Sequence, residues 1–354
     1  MTDIRETRIC VQQVLPHQKD EFHGLAKKSP THEHHQKLAA AFWAKKLWPK
    51  DSKIRIGFLG TGKQITKTAK QALMTQHGLK GEPLDPLQDQ VESHSVQQMV
   101  KMVVRERIIP LVNLDIDFVD NPAQANVRVA FDPNGGAWSL VGTDHLHETD
   151  HTKPTINLGW FDVPTCIHEF GHMLGMIHEH QNPRGQSIQW NDAKLFAWAK
   201  ATQGWDEKTT ETNIIRKYNI SSINGSNFDP CSIMLYFFPA NLTRNNVGSH
   251  QNLRLSGTDV EWITKMYPGP KVIKADKFYN DTYGDSIQKN IEKCDKEASS
   301  FSNSGGILSK IQLGKVFNWK IIFIVIGIIL VVLVIIFFIH KMKKSQPKGR
   351  YGYF

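Results

Sequence analysis

The alternation of hydrophobic and polar positions divides most of the first 270 residues into short strands and helices. Residues 53–59 alternate as a half-buried strand does, and the apolar positions within residues 86–109 recur at helical spacing. Shorter apolar runs predict further strands at 111–119, 126–131, 137–141 and 155–160, and further helices at 38–48, 164–174, 192–202, 207–218 and 256–266. This mixture predicts an α+β domain.

The hydrophobic pattern near the C-terminus is different. From Ile321 to Ile339 nineteen consecutive residues carry no charge, and a helix of that length spans roughly 28 Å, close to the thickness of one bilayer core. A helix buried in a soluble domain is rarely apolar on every face over such a length. The sequence therefore predicts a single transmembrane helix within residues 316–340, with the lipid bilayer as a partner.

The flanking charges leave open which side of the membrane the rest of the chain would face. Five Lys and Arg residues follow the apolar run and three Lys residues precede it, which favours a cytoplasmic tail. The N-terminus shows no apolar run typical of a secretory signal. That second observation favours a cytosolic domain anchored by its C-terminus, which is the orientation we expect.

The formal net charge of +9 changes this picture little. Eight basic residues lie between Lys310 and Arg350, where no acidic residue occurs, which leaves +1 for residues 1–309. Because the excess positive charge flanks the predicted membrane helix, we predict no nucleic-acid partner.

Composition divides the chain into five segments. They are a polar leader at 1–37, a globular domain at 38–270, a polar stalk at 271–315, the membrane helix at 316–340 and a basic tail at 341–354. Four cysteines are spread thinly and include no C-x-x-C pair. This spacing predicts free, buried thiols, with one disulfide bridge as the alternative.

A metal-binding pattern lies in the predicted helix at 164–174. His168 and His172 are four residues apart, so their imidazoles project from one face of a helix. That arrangement suits two ligands of a tetrahedral zinc ion. Glu169 lies beside the first ligand, where a carboxylate can act on water at the metal.

A third ligand requires the helix to end. If it continued, His178 would lie about 15 Å along the axis from His168, out of reach of the metal. Gly175 lies between the two, and glycine readily adopts the left-handed conformation that terminates helices. The chain can then reverse and return His178 to the metal. Three histidines beside a glutamate predict a catalytic zinc ion, because structural zinc ions usually have four protein ligands.

At these residues the chain resembles the metzincins, whose motif is H-E-x-x-H-x-x-G-x-x-H. It is most similar to astacin-like peptidases, and among them to microbial enzymes. Glu179 follows the third histidine, and the run Ser-Ile-Met-Leu-Tyr that ends at Tyr236 resembles the astacin Met-turn. The resemblance covers about residues 38–268. It implies a metzincin-type zincin fold, with two lobes about an active-site cleft and a twisted mixed sheet below the active-site helix.

The resemblance also implies a role for each matched residue. Met234 would form a hydrophobic floor under the zinc ion, and Tyr236 would bind the ion or donate to the oxyanion. Glu179 would help to anchor the mature N-terminus. No part of the leader matches an inhibitory pro-segment, and a lone leader cysteine such as Cys10 is more often incidental than a thiol ligand of the metal.

These observations predict a membrane-anchored, zinc-dependent endopeptidase that acts on peptides or proteins. Glu169 would be the general base. The substrate would lie extended along the strand at 137–141, which we expect to be an edge strand, and would pair with its backbone. The alternative is a membrane-bound interaction protein that retains an inactive zinc fold. The intact Glu169 favours the enzyme.

Overall fold

The structure is a computed structural model that describes residues 11–12, 41–76, 84–183, 188–218, 223–225 and 227–303. The chain divides into two compact units, residues 1–302 and residues 303–354. The second unit lies, apart from Asn303, outside the described residues.

A mixed sheet forms the base of the first unit. The strands of the described residues are β1 (Val11–Gln12), β2 (Ala41–Trp43), β3 (Lys53–Phe58), β4 (Thr66–Lys67), β5 (Asp115–Phe118), β6 (Val127–Ala130), β7 (Ala137–Ser139), β8 (Ile156–Leu158), β9 (Trp160–Phe161) and β10 (Ile223–Gly225). Six of them form one sheet in the order β1-β7-β8-β6-β3-β5. Its pairs are parallel except for β7 with β8. Separate two-stranded pairs join β10 to β2 and β4 to β9.

Helices cover this sheet and extend beyond it. Those of the described residues are α1 (Lys70–Gln76), α2 (Val96–Val103), α3 (Val163–Met173), α4 (Asp192–Gln203), α5 (Glu207–Thr210), α6 (Gly257–Met266), α7 (Ala275–Tyr283) and α8 (Ile287–Asn303). The apolar face of α2 packs with α3 and with strand residues such as Ile56 and Val129 in one hydrophobic core. The prediction of an α+β fold with a mixed sheet is confirmed.

The helix predicted for residues 86–109 is interrupted. A short 3-10 helix covers Pro86–Gln90, and α2 begins only after Ser95. The Ser95 hydroxyl accepts a hydrogen bond from the backbone N–H of Gln98, and the Gln98 side chain accepts one from the N–H of Ser95. This reciprocal capping box starts a new helix at that point.

The helix predicted for residues 38–48 is wrong over its described part. Residues 41–43 form β2, which pairs with β10, and the short 3-10 helix Ala44–Lys46 follows. On its other side β2 contacts the returning chain after α3, where Phe42 pairs with Met176. Backbone pairing on both sides thus overrides the helical propensity of this alanine-rich run.

The stalk predicted for residues 271–315 also differs from the structure. Its described part, up to residue 303, forms α7 and α8, which pack against the domain through buried Phe278, Tyr279 and Ile287. Asn290 accepts a hydrogen bond from the backbone N–H of Gly257 at 2.7 Å. Phe278 and Tyr279 of α7 and Ile287 and Cys294 of α8 are buried, whereas Ile273 before α7 is exposed.

The expectation of free thiols is wrong for two of the four cysteines. Cys231 and Cys294 form a disulfide bridge that ties α8 to the loop before Met234. Cys166 is a buried free thiol, and Cys10 lies outside the described residues. The two bridged residues are 63 positions apart, so only the packing of α8 brings them together.

The membrane assignment is corrected as well. Among the described ranges no helix is long and apolar enough to cross a membrane. The longest of them, α8, has 17 residues and carries charged side chains such as Lys289 and Glu292. The prediction of a single-pass membrane protein with a lipid partner is therefore wrong for the described part of the chain. The run from Ile321 to Ile339 and the tail at 341–354 lie outside the described residues.

Candidate metal centre

The helix α3 that carries the metal-binding pattern starts with a side-chain cap. Asp162 accepts a hydrogen bond from the backbone N–H of Thr165 at 2.7 Å, and Pro164 occupies the first turn. Gln88 accepts one from the N–H of Val163 at 2.9 Å. These contacts satisfy amide groups that the first turn leaves without helical partners. All residues of α3 except Thr165 are buried.

The helix ends as the glycine predicted. Gly175 has a φ of +91°, and its N–H donates to the carbonyl oxygen of His172 at 2.8 Å. Its own carbonyl oxygen accepts from the N–H of Trp43 at 2.9 Å. Strand β2 thus holds the reversed segment that leads the chain back to His178.

Two side chains from distant parts of the chain complete this helix end. The indole N–H of Trp48 donates to the carbonyl oxygen of Met173 at 2.7 Å. The hydroxyl of Tyr267 donates to the carbonyl oxygen of Leu174 at 2.5 Å. Both carbonyl groups lie in the last turn, where no helical amide remains to pair with them. The end of α3 is therefore fixed by residues that no local pattern indicates.

The structure brings the three predicted histidines together. Ring nitrogens of His168, His172 and His178 lie within 4.8 Å of one another, and the Nε2 atoms of His172 and His178 are 3.0 Å apart. The rings of His168 and His172 meet edge to face with their centroids 4.8 Å apart. All three residues are buried. One turn of helix and one reversal of the chain suffice to create this cluster.

The hydrogen bonds of the histidines orient their free nitrogens. Nδ1 of His168 lies 2.9 Å from the carbonyl oxygen of Ile233, and Nδ1 of His172 lies 2.8 Å from that of Met176. A carbonyl oxygen only accepts, so Nδ1 carries the hydrogen in both rings and Nε2 keeps its lone pair. Nε2 of His168 is buried and has no hydrogen-bond partner among the described residues.

The electrostatics of the cluster favour neutral imidazoles. Burial lowers the pKa of His168 to about 4. Burial, together with the neighbouring histidines, lowers the pKa values of His172 and His178 well below 6.5. Neutral imidazoles with converging lone pairs are the donors that a zinc ion prefers. The residues present therefore fit the predicted zinc ion.

Glu169 and Met234 both belong to the buried surroundings of α3. Glu169 is completely buried and immediately follows His168 on the helix. Met234 is buried against α3, because a Cβ added at Gly171 would lie only 2.7 Å from its sulfur. The Met234 carbonyl oxygen accepts a hydrogen bond from the N–H of Glu179 at 3.0 Å. The Met-turn and the chain after the third histidine are thus joined directly.

Tyr236 lies beside the histidine cluster, with a fourth histidine that the sequence analysis did not single out. The Tyr236 ring centroid is 4.2 Å from that of His178 and 4.5 Å from that of His180. His180 is buried, stacks on His178 and hydrogen-bonds the carbonyl oxygen of Asn213 through Nε2. Burial lowers its pKa to about 3. In the sequence, its position two residues after His178 was the feature that could have indicated a place beside the cluster.

Glu179 faces a loop close to the Met-turn. Its Oε1 accepts hydrogen bonds from the side-chain amide of Asn182 and from the backbone N–H of Asp229, each at 3.0 Å. Burial raises the pKa of this carboxyl well above its usual value. An anchoring role toward the N-terminus stays a prediction, because residues 1–10 lie outside the described part.

The strand expected to receive a substrate is not an open edge. β7 packs against α3, and one side of it pairs with β8. Its other side pairs with β1 in parallel, with Val11 opposite Trp138 and Gln12 opposite Ser139. Val11 and Gln12 of the leader therefore lie along the edge that an extended peptide would need.

The comparisons with known proteins agree with this site. The model of the astacin family of peptidases matches residues 113–268, a range that includes the three histidines, Glu169 and the Met-turn. A serralysin of Proteus mirabilis is 25% identical over 193 residues, which cover 52% of this chain. The chain spans only 36% of the length of that curated relative.

Solved structures of myroilysin are also similar to this chain. One is 28% identical with a TM-score of 0.49, and the match covers 65% of this chain and 99% of the other. A second is 25% identical with a TM-score of 0.43 and covers 75% and 93%, respectively.

Proposed function

The chain is an astacin-like metzincin, and from that premise we propose that it is a zinc-dependent endopeptidase that hydrolyses peptide bonds in peptides or proteins. One observation carries the proposal. Three buried, neutral imidazoles converge beside a buried glutamate at the end of a single helix. A zinc site that served only stability would usually have four protein ligands and would not need the glutamate. Among the described residues the cluster of possible ligands here contains three histidines.

His168, His172 and His178 would hold the metal. When bound, zinc supplies a Lewis acid that polarises the scissile carbonyl group and lowers the pKa of water towards about 7. The hydrogen bonds from Nδ1 of His168 and His172 to backbone carbonyl groups keep both rings in the required tautomer.

Glu169 would move the proton. Its carboxylate follows the first histidine on a helix that is capped at both ends, so its position is fixed by the backbone. It would accept a proton from the attacking water and deliver it to the nitrogen of the leaving amine. Both transfers need a carboxylate close to the scissile bond, which a residue next to a ligand provides.

Tyr236 would stabilise the negative charge that develops on the carbonyl oxygen. Its ring lies against His178 and 6.3 Å, between centroids, from the ring of His168. The segment is held in place because the carbonyl oxygen of Tyr236 accepts a hydrogen bond from Ser249 at 2.7 Å. A phenol whose ring lies against the cluster would donate from its hydroxyl to an oxyanion that forms there.

The substrate would lie extended along β7. This strand contacts α3, so a peptide paired with it would pass the histidine cluster, and backbone pairing would give affinity with little sequence preference. The edge is occupied by β1, and β1 would have to leave before such a peptide could bind. We therefore expect little activity from the chain while β1 stays paired.

The experiment compares cleavage of a denatured protein by the full chain, with and without prior displacement of β1 by the double substitution Val11→Pro/Gln12→Pro. We expect a chelator to abolish cleavage and added zinc to restore it. In the same background Glu169→Gln should lower the rate at least about 100-fold while zinc remains bound. Glu92→Gln is the matched control, because Glu92 is exposed.

Two outcomes would count against the proposal. Substantial activity of the Glu169→Gln variant would remove the assigned base. Zinc binding without cleavage of any denatured protein, even after β1 is displaced, would instead support the inactive interaction protein as the function.

A further inference from the structure

A continuous chain of hydrogen bonds leads away from the metal centre behind His168. Nδ1 of His168 donates to the carbonyl oxygen of Ile233 at 2.9 Å. The same peptide group contains the N–H of Met234, which donates to the hydroxyl oxygen of Ser232 at 3.1 Å. The Ser232 hydroxyl in turn donates to Oδ1 of Asp259 at 2.7 Å. Each group in this series donates in the same direction, from the histidine to the carboxylate.

Asp259 is the last group in this series of hydrogen bonds, and it accepts several of them. Its Oδ1 accepts from Ser232. Its Oδ2 accepts from the backbone N–H of Ile233 at 2.9 Å and from that of Ser256 at 3.0 Å. The residue is completely buried on α6. The two backbone N–H groups among these partners can only donate, which favours the ionised carboxylate.

A neighbouring carboxyl group agrees with this charge assignment. Asp229 is buried close by and accepts from the Ser256 hydroxyl and from the N–H of Cys231. Burial and the charge of Asp259 raise the pKa of Asp229 to about 7. Burial also raises the pKa of Asp259, but its hydrogen bonds from Ile233, Ser256 and Ser232 lower it. Two backbone N–H groups donate to Asp259 and one donates to Asp229, so the negative charge is favoured on Asp259.

We propose that Ser232 and Asp259 are positioning residues of the metal centre, which act on His168 through the peptide group between Ile233 and Met234. They fix the carbonyl group that receives the Nδ1–H of His168, and through it the ring orientation and the tautomer. Hydrogen bonds aligned in one direction polarise one another, so this series of hydrogen bonds also increases the electron density on Nε2 of His168. This positioning role presupposes the zinc site of the proposed function.

Ser232 belongs to the same loop as Met234 and Tyr236, the two other residues of the site that follow it in the chain. Ser232 lies immediately before Ile233 and Met234, and two residues further along is Tyr236. The carboxylate on α6 thus holds the first turn of a loop that contacts both α3 and the third histidine. Outer hydrogen-bond partners of metal-binding histidines typically change metal affinity by about 10- to 100-fold when they are lost.

The test uses Ser232→Ala in the full chain, and zinc affinity is measured by competition with a chromophoric chelator. We expect the Kd for zinc to rise about 10-fold. Thr155→Val is the matched control, because it also removes a buried hydroxyl group, one that accepts a hydrogen bond from the N–H of Arg128. It should leave zinc affinity unchanged. Asp259→Asn should weaken zinc binding at least as much as Ser232→Ala.

Two further readouts separate positioning from a general loss of stability. In the metal-free protein, the NMR signal of the His168 Nδ1–H should move upfield in Ser232→Ala and not in Thr155→Val. In the Ser232→Ala/Asp259→Asn double variant the losses of zinc affinity should be markedly less than additive, because both act through one chain. Additive losses, or an unchanged His168 signal, would overturn the inference. Failure of the wild-type protein to bind zinc would overturn the proposed function and leave the His168 signal as an independent test.

Discussion

Gly171 faces Met234 so closely that a Cβ at position 171 would lie 2.7 Å from the Met234 sulfur. Alanine favours a helix over glycine by about 1 kcal/mol, so replacing an exposed helical glycine with alanine would stabilise the helix. Here both residues are buried, and overpacking typically costs about 1–3 kcal/mol. We expect the cost of overpacking to exceed the gain in helix propensity, so that Gly171→Ala lowers the free energy of unfolding of the metal-free protein by up to about 2 kcal/mol in denaturant titrations.

The control for this prediction is a double-mutant cycle with Met234→Ala. That variant alone leaves a cavity and should cost about 2–5 kcal/mol. Combined with Gly171→Ala, part of the cavity is filled, so the two losses should sum to more than the loss of the double variant. Simple additivity would show that the contact between the two residues does not limit the packing.

The part of the site that could be predicted from the sequence is local. His168 and His172 share one helix face, and Gly175 reverses the chain towards His178; spacing and backbone conformation are sufficient for both inferences. The left-handed conformation of Gly175 is dictated by the residue itself. Seven of the eleven residues of α3 are apolar or glycine, which agrees with the burial of this helix on nearly all sides.

The rest depends on contacts between distant segments. Trp48 and Tyr267 cap the end of α3 from 125 and 93 residues away, and the partners of Asp259 lie up to 27 residues distant. The misassigned helix at 38–48 has the same cause, because its central residues pair with β10 and with the chain after α3. Neither periodicity nor propensity contains that information.

A second prediction concerns which histidines bind the metal. His172→Ala should abolish binding of zinc at about one ion per chain, since it removes one of three converging ligands. His180→Phe is a matched control, because His180 is also buried and stacks on His178 but does not belong to the cluster of possible ligands. Metal analysis of the purified proteins decides the matter. Full zinc content in His172→Ala would exclude the assigned ligand set.

A third prediction concerns Tyr236. If its hydroxyl acts mainly in the transition state, Tyr236→Phe should lower kcat about 10- to 1000-fold and change KM little. The phenylalanine ring keeps the contacts with His178 and His180, so the fold should be unaffected. Steady-state kinetics on a peptide substrate provide the measurement. An unchanged kcat with a raised KM would instead assign Tyr236 to substrate binding.

A fourth prediction concerns the leader strand. Val11→Pro/Gln12→Pro removes two backbone N–H donors from β1, and proline is poorly tolerated within a paired strand. If β1 blocks the edge of β7, the double variant should cleave peptides faster than the wild-type chain and with a lower KM. Val11→Thr/Gln12→Thr keeps both N–H groups and should behave like the wild type. Equal rates for all three proteins would mean that β1 does not compete with the substrate.

The last prediction concerns stability and pH through His145. This residue is completely buried and hydrogen-bonds the carbonyl oxygen of Leu140 through Nε2. Burial lowers its pKa to about 3, whereas the unfolded chain titrates near 6.5. Between these values the unfolded state binds more protons, so stability is present above about pH 6.5 and is lost as the pH falls towards 3.

The size of this effect follows from the proton that only the unfolded state binds. Each pH unit below 6.5 should cost about 1.4 kcal/mol for one such histidine, or about 2 kcal/mol at pH 5. Other buried histidines add to the total, so the measurement compares the wild type with His145→Gln, whose amide N–H can replace the donor at Nε2. Whatever its stability at pH 7.5, the variant should lose about 2 kcal/mol less than the wild type between pH 7.5 and pH 5. Parallel curves for the two proteins would show that His145 does not become buried as a neutral group.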